Sequence, residues 1–159
     1  MSTDFKNMPE DAKIWVFPSR KKFYTNQIEE LEEKIAGFVR QWTDKNTALS
    51  ATSFLKYHRF VIVCAFSPDP ISTAITNELI SFIMELQTDY KTELMDKMNV
   101  CFKQGEYVQY KDLKDFKKLI KDKAVNKKTI VFDNLVATKQ EFETYWELPA
   151  SESWYGNMF

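Results

Sequence analysis

Apolar residues of this chain recur at helical spacing over two long segments. Between residues 25 and 43 they lie three or four positions apart, which predicts an amphipathic helix. The segment from residue 71 to 86 repeats this spacing, and the preceding Asp69 and Pro70 are the expected N-cap and first helical residue. Two long amphipathic helices are therefore predicted.

Shorter runs rich in β-branched and aromatic residues predict strands at 14–19, 49–56 and 59–66. The last two are expected to form a hairpin that turns at Tyr57 and His58. Apolar side chains occupy both alternating sets of positions in 59–66. This strand is therefore expected to lie at the centre of a sheet, with both of its faces covered.

The C-terminal part of the chain continues the alternation of strands and helices. A hairpin is predicted to turn at 104–105, followed by a short helix over 111–123 and a strand over 129–136. Thr138 and Glu141 are spaced as in a capping box, which predicts the start of a last helix.

This order of elements predicts a single α+β domain over residues 1–159. Its first six elements, within residues 14–110, match a ferredoxin-like βαββαβ core, in which two helices cover one face of an antiparallel sheet. Residues 111–159 are expected to add a C-terminal β-α-β-α extension with an aromatic tail that packs on the core, and residues 1–12 a flexible leader. Because the strand at 59–66 is apolar on both faces, the C-terminal elements or a second copy of the chain must cover the open face of the sheet.

The composition is typical of a globular protein of the cytoplasm. The net charge is only −1, so no global attraction to nucleic acid or anionic lipid is expected. Cys64 and Cys101 lie within apolar strand-like runs and are expected to be buried free thiols, which fits a reducing compartment. The N-terminal residues lack an apolar signal region, and the longest apolar run, Phe60–Phe66, is too short to span a bilayer. A cytoplasmic location without membrane contact is therefore predicted.

The motifs of common enzyme and cofactor sites are missing from the sequence. The three glycines fit neither the spacing of a P-loop nor that of a dinucleotide-binding fingerprint. One histidine and two strand cysteines cannot supply a zinc site, and His58 would be the only available base of a catalytic triad. No catalytic residue, cofactor or metal site is therefore predicted, and no ATP hydrolysis is expected.

Residues 111–128 form a basic segment. It holds eight lysines against three aspartates, a net charge of +5, which leaves −6 for the remainder of a chain whose total is −1. Binding of an acidic partner or of a nucleic acid backbone is one interpretation. The favoured interpretation is the solvated face of an amphipathic helix whose other side is buried. The residues expected on that buried side are Leu113, Phe116, Leu119 and Ile120.

The predicted ferredoxin-like order invites comparison with RNA-binding domains of that fold. Their central strand carries glycines and stacking aromatic residues at alternate positions. The corresponding stretch "RFVIVCAF" (59–66) lacks glycine and is mostly aliphatic. RNA binding through this sheet is therefore not expected.

Five residues have side chains that a buried core does not require, and they form the candidate binding site. Arg59 lies at the mouth of the central strand, and Asn134 follows a later strand. Lys139 lies in the first turn of the last helix, where its charge opposes the helix dipole. Trp146 and Trp154 flank a short polar segment. Cations beside exposed aromatic rings are typical of a binding groove for a ligand or partner.

The aromatic tail has a second interpretation, in which its rings pack on the domain and serve its stability. We favour this interpretation. Trp154 and Phe159 are accordingly expected to be substantially buried against the open apolar face.

Five stretches of the sequence carry a resemblance to known proteins. They are "WVFPS", the helix ending in Trp42, "HRF" at 58–60, "NLVATKQEFETYWELP" at 134–149 and "ESWYGNMF" at 152–159. Together they resemble a family of short, uncharacterised bacterial proteins that often carry the automatic label "ABC transporter ATPase". The resemblance implies no established activity. It does not support the label either, because an ABC ATPase needs a Walker A loop and a far longer domain.

The resemblance highlights a set of positions in this chain, and the chain differs from the relatives at two places. The chain has "AITN" at 74–77 where relatives often have Cys-Ser-Ile-Asp, and Tyr155 where they tend to have His. A site formed by Cys, Asp and His in relatives would be absent from this chain. The highlighted positions are Trp15, Trp42, Arg59, Phe60, Asn134, Leu135, Thr138, Lys139, Trp146, Pro149, Ser153 and Trp154.

Two functional hypotheses follow. The first is a non-enzymatic cytoplasmic module that binds a protein partner or itself, and it rests on the missing catalytic motifs and the surplus of aromatic residues. The alternative is a small-molecule-binding protein or enzyme whose groove holds an anionic ligand. The residues expected to converge on that groove are Arg59, Asn134, Lys139 and Trp154.

Overall fold

Seven strands and four helices alternate along the part of the chain that the structure, a computed structural model, describes, which is residues 4–159. The strands are β1 (Lys13–Pro18), β2 (Ser50–Lys56), β3 (Phe60–Phe66), β4 (Val100–Gln104), β5 (Tyr107–Lys111), β6 (Ile130–Phe132) and β7 (Glu147–Pro149). The helices are α1 (Thr25–Lys45), α2 (Thr73–Tyr90), α3 (Leu113–Lys121) and α4 (Lys139–Tyr145). This order confirms the predicted alternation and adds β7 near the C-terminus.

The strands form two antiparallel sheets. The first has the order β1-β3-β2 and the second the order β5-β4-β6-β7. The predicted α+β class with antiparallel pairing is confirmed. The ferredoxin-like topology is not confirmed, because β4 pairs with β5 and β6 in the second sheet instead of extending the first.

Three buried clusters arrange these elements in four layers. In the first cluster, α1 and α2 pack on one face of the first sheet, where Val61 and Val63 of β3 are fully buried. The second cluster lies between the two sheets and joins Ile62 to Trp146. The third packs α3 on the outer face of the second sheet through Phe116 and Phe102. The strand β3 is therefore buried on both faces, as predicted, and the C-terminal elements cover the face that the first two helices leave open.

The turn between β2 and β3 has an unusual backbone. Tyr57 and His58 both adopt left-handed conformations, with φ of 56° and 54°. They are the central residues of a tight turn within the three-residue connection, closed by the N–H of Arg59, which donates to the carbonyl of Lys56 at 3.0 Å. Left-handed φ at both central residues defines a type I′ turn, for which glycine or asparagine is the usual choice. The predicted hairpin is confirmed with its turn at these two residues.

Two helix starts can be compared with the sequence pattern. The helix α2 begins at Thr73 rather than at Pro70, because the Oγ of Ser72 accepts a hydrogen bond from the backbone N–H of Ile75 at 3.2 Å and caps the helix there. Asp69 is therefore not the N-cap. The capping box that opens α4 is confirmed: Thr138 and Glu141 each accept a backbone hydrogen bond from the other.

The N-terminal residues 4–12 pack against the domain. Met8 and Ala12 are buried between the sheets. The ring of Phe5 lies 5.8 Å from that of Phe142 on α4. These contacts do not fit the flexible leader predicted for residues 1–12, of which residues 1–3 lie outside the described part of the chain.

Candidate binding site

A cavity of about 230 Å³ opens beside the C-terminal tail. We call it the tail cavity. Four segments that are distant in sequence form its walls: the connection from α2 to β4, the start of α3, the loop from β6 to α4, and the tail itself. Most of the wall is apolar, and its polar groups are Lys97, Asp133 and Asn134.

The loop after β6 positions one wall of the tail cavity. The backbone N–H of Asp133 donates to the carbonyl of Trp146 at 2.8 Å, which continues the pairing of β6 with β7. The Oδ1 of Asp133 then accepts the N–H of Leu135 at 3.0 Å. This short side-chain turn ends the strand and leaves the side chain of Leu135 at the surface, 47% exposed.

The tail forms the opposite wall because it doubles back over α3. The rings of Tyr155 and Phe159 pack on Phe116, with centroid distances of 5.3 and 6.4 Å. Burial raises the pKa of the Tyr155 phenol to about 12. The bend requires glycine at position 156, since a Cβ there would lie 2.5 Å from the carbonyl oxygen of Ser151.

Trp154 does not share this packing. It is 70% exposed at the mouth of the tail cavity, so the prediction that Trp154 would be buried is wrong. Phe159 is partly buried, but against α3 rather than against the face of the first sheet. That face is already occupied by Trp146 and its neighbours between the two sheets.

Large exposed apolar side chains surround the mouth of the tail cavity. Besides Leu135 and Trp154, they are Met98, which is 72% exposed, and Leu113, which is 41% exposed. We call these four residues the rim. Leu113 was expected on the buried side of α3, but it is the first residue of the helix and lies beyond the edge of the third cluster.

Lys97 is the cation of the tail cavity. Its side chain is half-buried, and its Nζ lies 5.2 Å from the centroid of the Phe17 ring. Burial lowers the pKa of this ammonium group. Within residues 4–159, no carboxylate lies within 4.0 Å of it, so the half-buried charge has no ionic partner.

Arg59 is not among the residues that line the tail cavity, and it joins backbone segments instead. Its Nη1 donates to the carbonyls of Ser19 and Arg20 at 2.8 and 2.9 Å, and its Nε donates to the carbonyl of Val108 at 3.0 Å. Burial lowers the pKa of the guanidinium group. The arrangement fixes the end of β1 to β5, which indicates a structural role.

Asn134 and Trp146 are brought together, but inside the protein. The indole Nε1 of Trp146 donates to the Oδ1 of Asn134 at 3.0 Å, and the Nδ2 of Asn134 donates to the Sγ of Cys101 at 3.6 Å. Both residues are buried. Asn134 borders the tail cavity, yet its amide is already engaged in this network.

Lys139 is buried and binds the N-terminal segment. Its Nζ donates to the carbonyls of Met8 at 2.8 Å and Lys6 at 3.2 Å, and lies 3.8 Å from the carboxylate of Glu10. These contacts explain a cation in the first turn of a helix, since its charge points at carbonyl oxygens of another segment rather than along the helix axis.

The four residues of the anionic-ligand groove therefore do not converge. Asn134 and Trp154 border the same cavity, whereas Arg59 and Lys139 lie elsewhere and are bonded to backbone carbonyls. The sequence singled out Trp154 but missed Lys97, Met98 and Leu135 as parts of a site. Leu135 was among the positions highlighted by the family resemblance, and this was the feature of the sequence that could have identified it as a site residue. Lys97 and Met98 lie in an irregular connection that carries no pattern.

Over residues 4–159, no three His, Cys, Asp or Glu side chains are grouped so that they could hold a metal ion. None of the four helices in this range combines the length and apolar character needed to cross a membrane. Comparisons of the chain with protein-family models, curated proteins and solved structures found no match.

Proposed function

We propose that this protein is a non-enzymatic, cytoplasmic interaction module whose tail cavity binds an apolar side chain of a partner protein. The observation that carries the proposal is the rim: Met98, Leu113, Leu135 and Trp154 come from four different segments and expose their apolar side chains around one apolar cavity. Exposure of large apolar side chains does not stabilise a free domain, and such patches are typical of interaction sites. Tryptophan is also one of the residue types that are enriched among those that dominate binding energy.

The size of the cavity favours a side chain over a small-molecule ligand. Sites for drug-sized ligands and cofactors usually span roughly 300–1,000 Å³, and the tail cavity has about 230 Å³. The alternative of an anionic small molecule held by Arg59 and Lys139 gains no support, because both cations already bind carbonyl oxygens. The burial of both free cysteines agrees with a reducing compartment.

Membership of the family of short bacterial proteins remains part of the proposal. Two rim residues, Leu135 and Trp154, are among the positions that the resemblance highlights. The resemblance implies no established activity, and a module without a catalytic constellation agrees with it.

A selection from short random peptides displayed on phage tests this function. Peptides that bind the immobilised protein should share an apolar side chain, and their affinity should be measured by fluorescence anisotropy. Leu135→Glu places a charge on the rim and should weaken binding by about tenfold or more, which corresponds to roughly 1.4 kcal/mol. Trp154→Ala should do the same. Tyr145→Ala is the matched control, because it removes an exposed aromatic ring from the end of α4, outside the rim.

Two results would overturn the proposal. One is a selection without enrichment, or with peptides that bind the Leu135→Glu protein as tightly as the wild type. The other is a dimer, seen by sedimentation at micromolar concentration, that Leu135→Glu dissociates. That result would assign the rim to self-association instead of a separate partner.

A further inference from the structure

The tail cavity lies next to a second depression, on the surface of α3. Met158 borders both, and the second depression is otherwise lined by Lys117, Ile120 and Lys121. Lys117 and Lys121 lie one helical turn apart and are exposed. An extended segment that placed one side chain in the tail cavity would therefore run past Met158 onto a basic helix face.

The charge of this face is not neutralised by the protein itself. Among residues 4–159, no carboxylate lies within 4.0 Å of the ammonium group of any lysine on α3. Asp112 and Asp115 belong to the start of the helix, where the carboxylate of Asp112 accepts the N–H of Asp115 at 2.7 Å as the N-cap. Lys97, at the tail cavity, is likewise without an ionic partner. Lys97, Lys117 and Lys121 thus form no ion pair within residues 4–159, although Asp133 borders the cavity and Asp122 ends α3.

We infer that the partner of this site is an acidic peptide segment, with one apolar side chain in the tail cavity and carboxylates on Lys97, Lys117 and Lys121. The inference rests on the proposed function and names the chemistry of the partner. A carboxylate of the partner beside Lys97 would compensate the half-buried ammonium group. Carboxylates of the partner that face the lysines of α3 would steer association through complementary charge. Asp133 lies on the loop side of the cavity, so the acidic residues of the partner are expected on the α3 side.

A peptide fits these observations better than a single-stranded nucleic acid. Nucleic acids bind to grooves that offer successive stacking rings as well as cations. The rim offers a single ring, that of Trp154, beside aliphatic and thioether side chains. The basic segment 111–128 also contains no arginine, the residue with the planar geometry that suits phosphate best.

The test uses two displayed peptide libraries with the same random apolar positions. In one library the fixed flanking residues are Glu, and in the other they are Gln. The wild-type protein should enrich the Glu library strongly and the Gln library weakly. Binding of the enriched acidic peptides should weaken by about tenfold or more in Lys117→Glu/Lys121→Glu, and also when the salt concentration rises from about 0.05 to about 0.5 M.

A matched control separates local from global charge. Arg40→Glu/Lys91→Glu changes the net charge by the same amount at exposed residues of α1 and of the end of α2, and it should leave binding unchanged. Lys97→Gln should weaken binding of the acidic peptides and spare that of the Gln peptides.

The outcomes distinguish the inference from the proposed function. Equal enrichment of both libraries, with no effect of the lysine reversals, overturns the acidic partner while the apolar site stands. Enrichment of neither library overturns both. Tight binding of a labelled single-stranded oligonucleotide that the reversals at Lys117 and Lys121 abolish, without peptide enrichment, would assign the basic face to nucleic acid and overturn the inference.

Discussion

At the scale of single residues, the turn between β2 and β3 holds two neighbouring residues with a strained backbone. Tyr57 and His58 both have left-handed φ values, which cost roughly 1–2 kcal/mol for a residue with a side chain. The ring of Tyr57 compensates this cost, since it lies 5.5 Å from Phe132 and its hydroxyl donates to Glu147 at 2.8 Å. The imidazole of His58 is exposed and has no comparable packing.

His58→Gly is therefore expected to stabilise the protein. Glycine removes the left-handed strain, and this gain exceeds the roughly 0.4–1 kcal/mol that the added freedom of the unfolded chain costs. The free energy of unfolding, measured in urea, should rise by about 0.5–1 kcal/mol. Tyr57→Gly is the contrast and should lower it, because the aromatic contacts are lost. A lower stability of the His58→Gly protein would contradict the left-handed conformation of this residue.

The two thiols give a prediction with a defined pH dependence. Burial raises the pKa of Cys64 and of Cys101 from 9.0 to about 12. Since the folded-state pKa lies above the unfolded value, the thiols' contribution to stability is complete below about pH 9 and is lost as the pH rises toward 12.

At about pH 8 neither thiol should react with Ellman's reagent until the protein unfolds. Rapid labelling of the native protein would show that one of the thiols is accessible.

The residues that the sequence singled out were unusual for a reason that only the tertiary structure reveals. Lys139 opposes the dipole of its own helix, and this could be predicted. Its partner is the carbonyl of Met8, 131 positions away. The sequence does not indicate which backbone carbonyls are left unpaired by the sheets. A structural cation and a ligand-binding cation therefore look the same in the sequence.

At the scale of elements, the tail combines packed and exposed aromatic residues within two positions. Tyr155 packs on Phe116 of α3, whereas the neighbouring Trp154 is exposed. Trp154→Ala is expected to leave the melting temperature unchanged. Tyr155→Ala should lower the free energy of unfolding by about 1–2 kcal/mol, since a half-buried ring loses its contacts, and the melting temperature by several degrees. Differential scanning calorimetry of both variants is the measurement. A loss of stability in Trp154→Ala comparable with that of Tyr155→Ala would contradict the exposed position of this ring.

The order of the longer elements could be predicted because they have a clear period, but β7 and the partners of β4 could not. Val100 and Phe102 face α3 in the third cluster, and Cys101 faces the first sheet in the second cluster. A strand buried on both faces fits equally well beside β1 in one sheet or at the centre of another. The choice depends on β6, whose three residues are too few to show a period of their own.

At the scale of the whole molecule, the ferredoxin-like expectation was incomplete because a second sheet covers the face of the first sheet that was expected to be open. The cluster between the sheets draws on both ends of the chain: Met8 and Ala12 from the N-terminal segment, and Phe142 and Trp146 from the C-terminal part. The two ends are held together by Lys139. This closure indicates that the stability of the first sheet depends on residues more than seventy positions away from β3.

A fragment of residues 13–111 is therefore not expected to form a native domain by itself. It contains the six elements of the predicted ferredoxin-like core, but it lacks Phe132, Phe142 and Trp146, which cover the second face of β3. The exposed face should bind the dye ANS, and the fragment should retain far-UV circular dichroism without a cooperative thermal transition. The full-length protein is the control, and addition of the separate fragment 112–159 should restore a cooperative transition, because the lost contacts lie between the two pieces. A cooperative melt of the fragment alone, with little dye binding, would contradict this dependence and show that residues 13–111 form an independent core on which residues 112–159 pack as an extension.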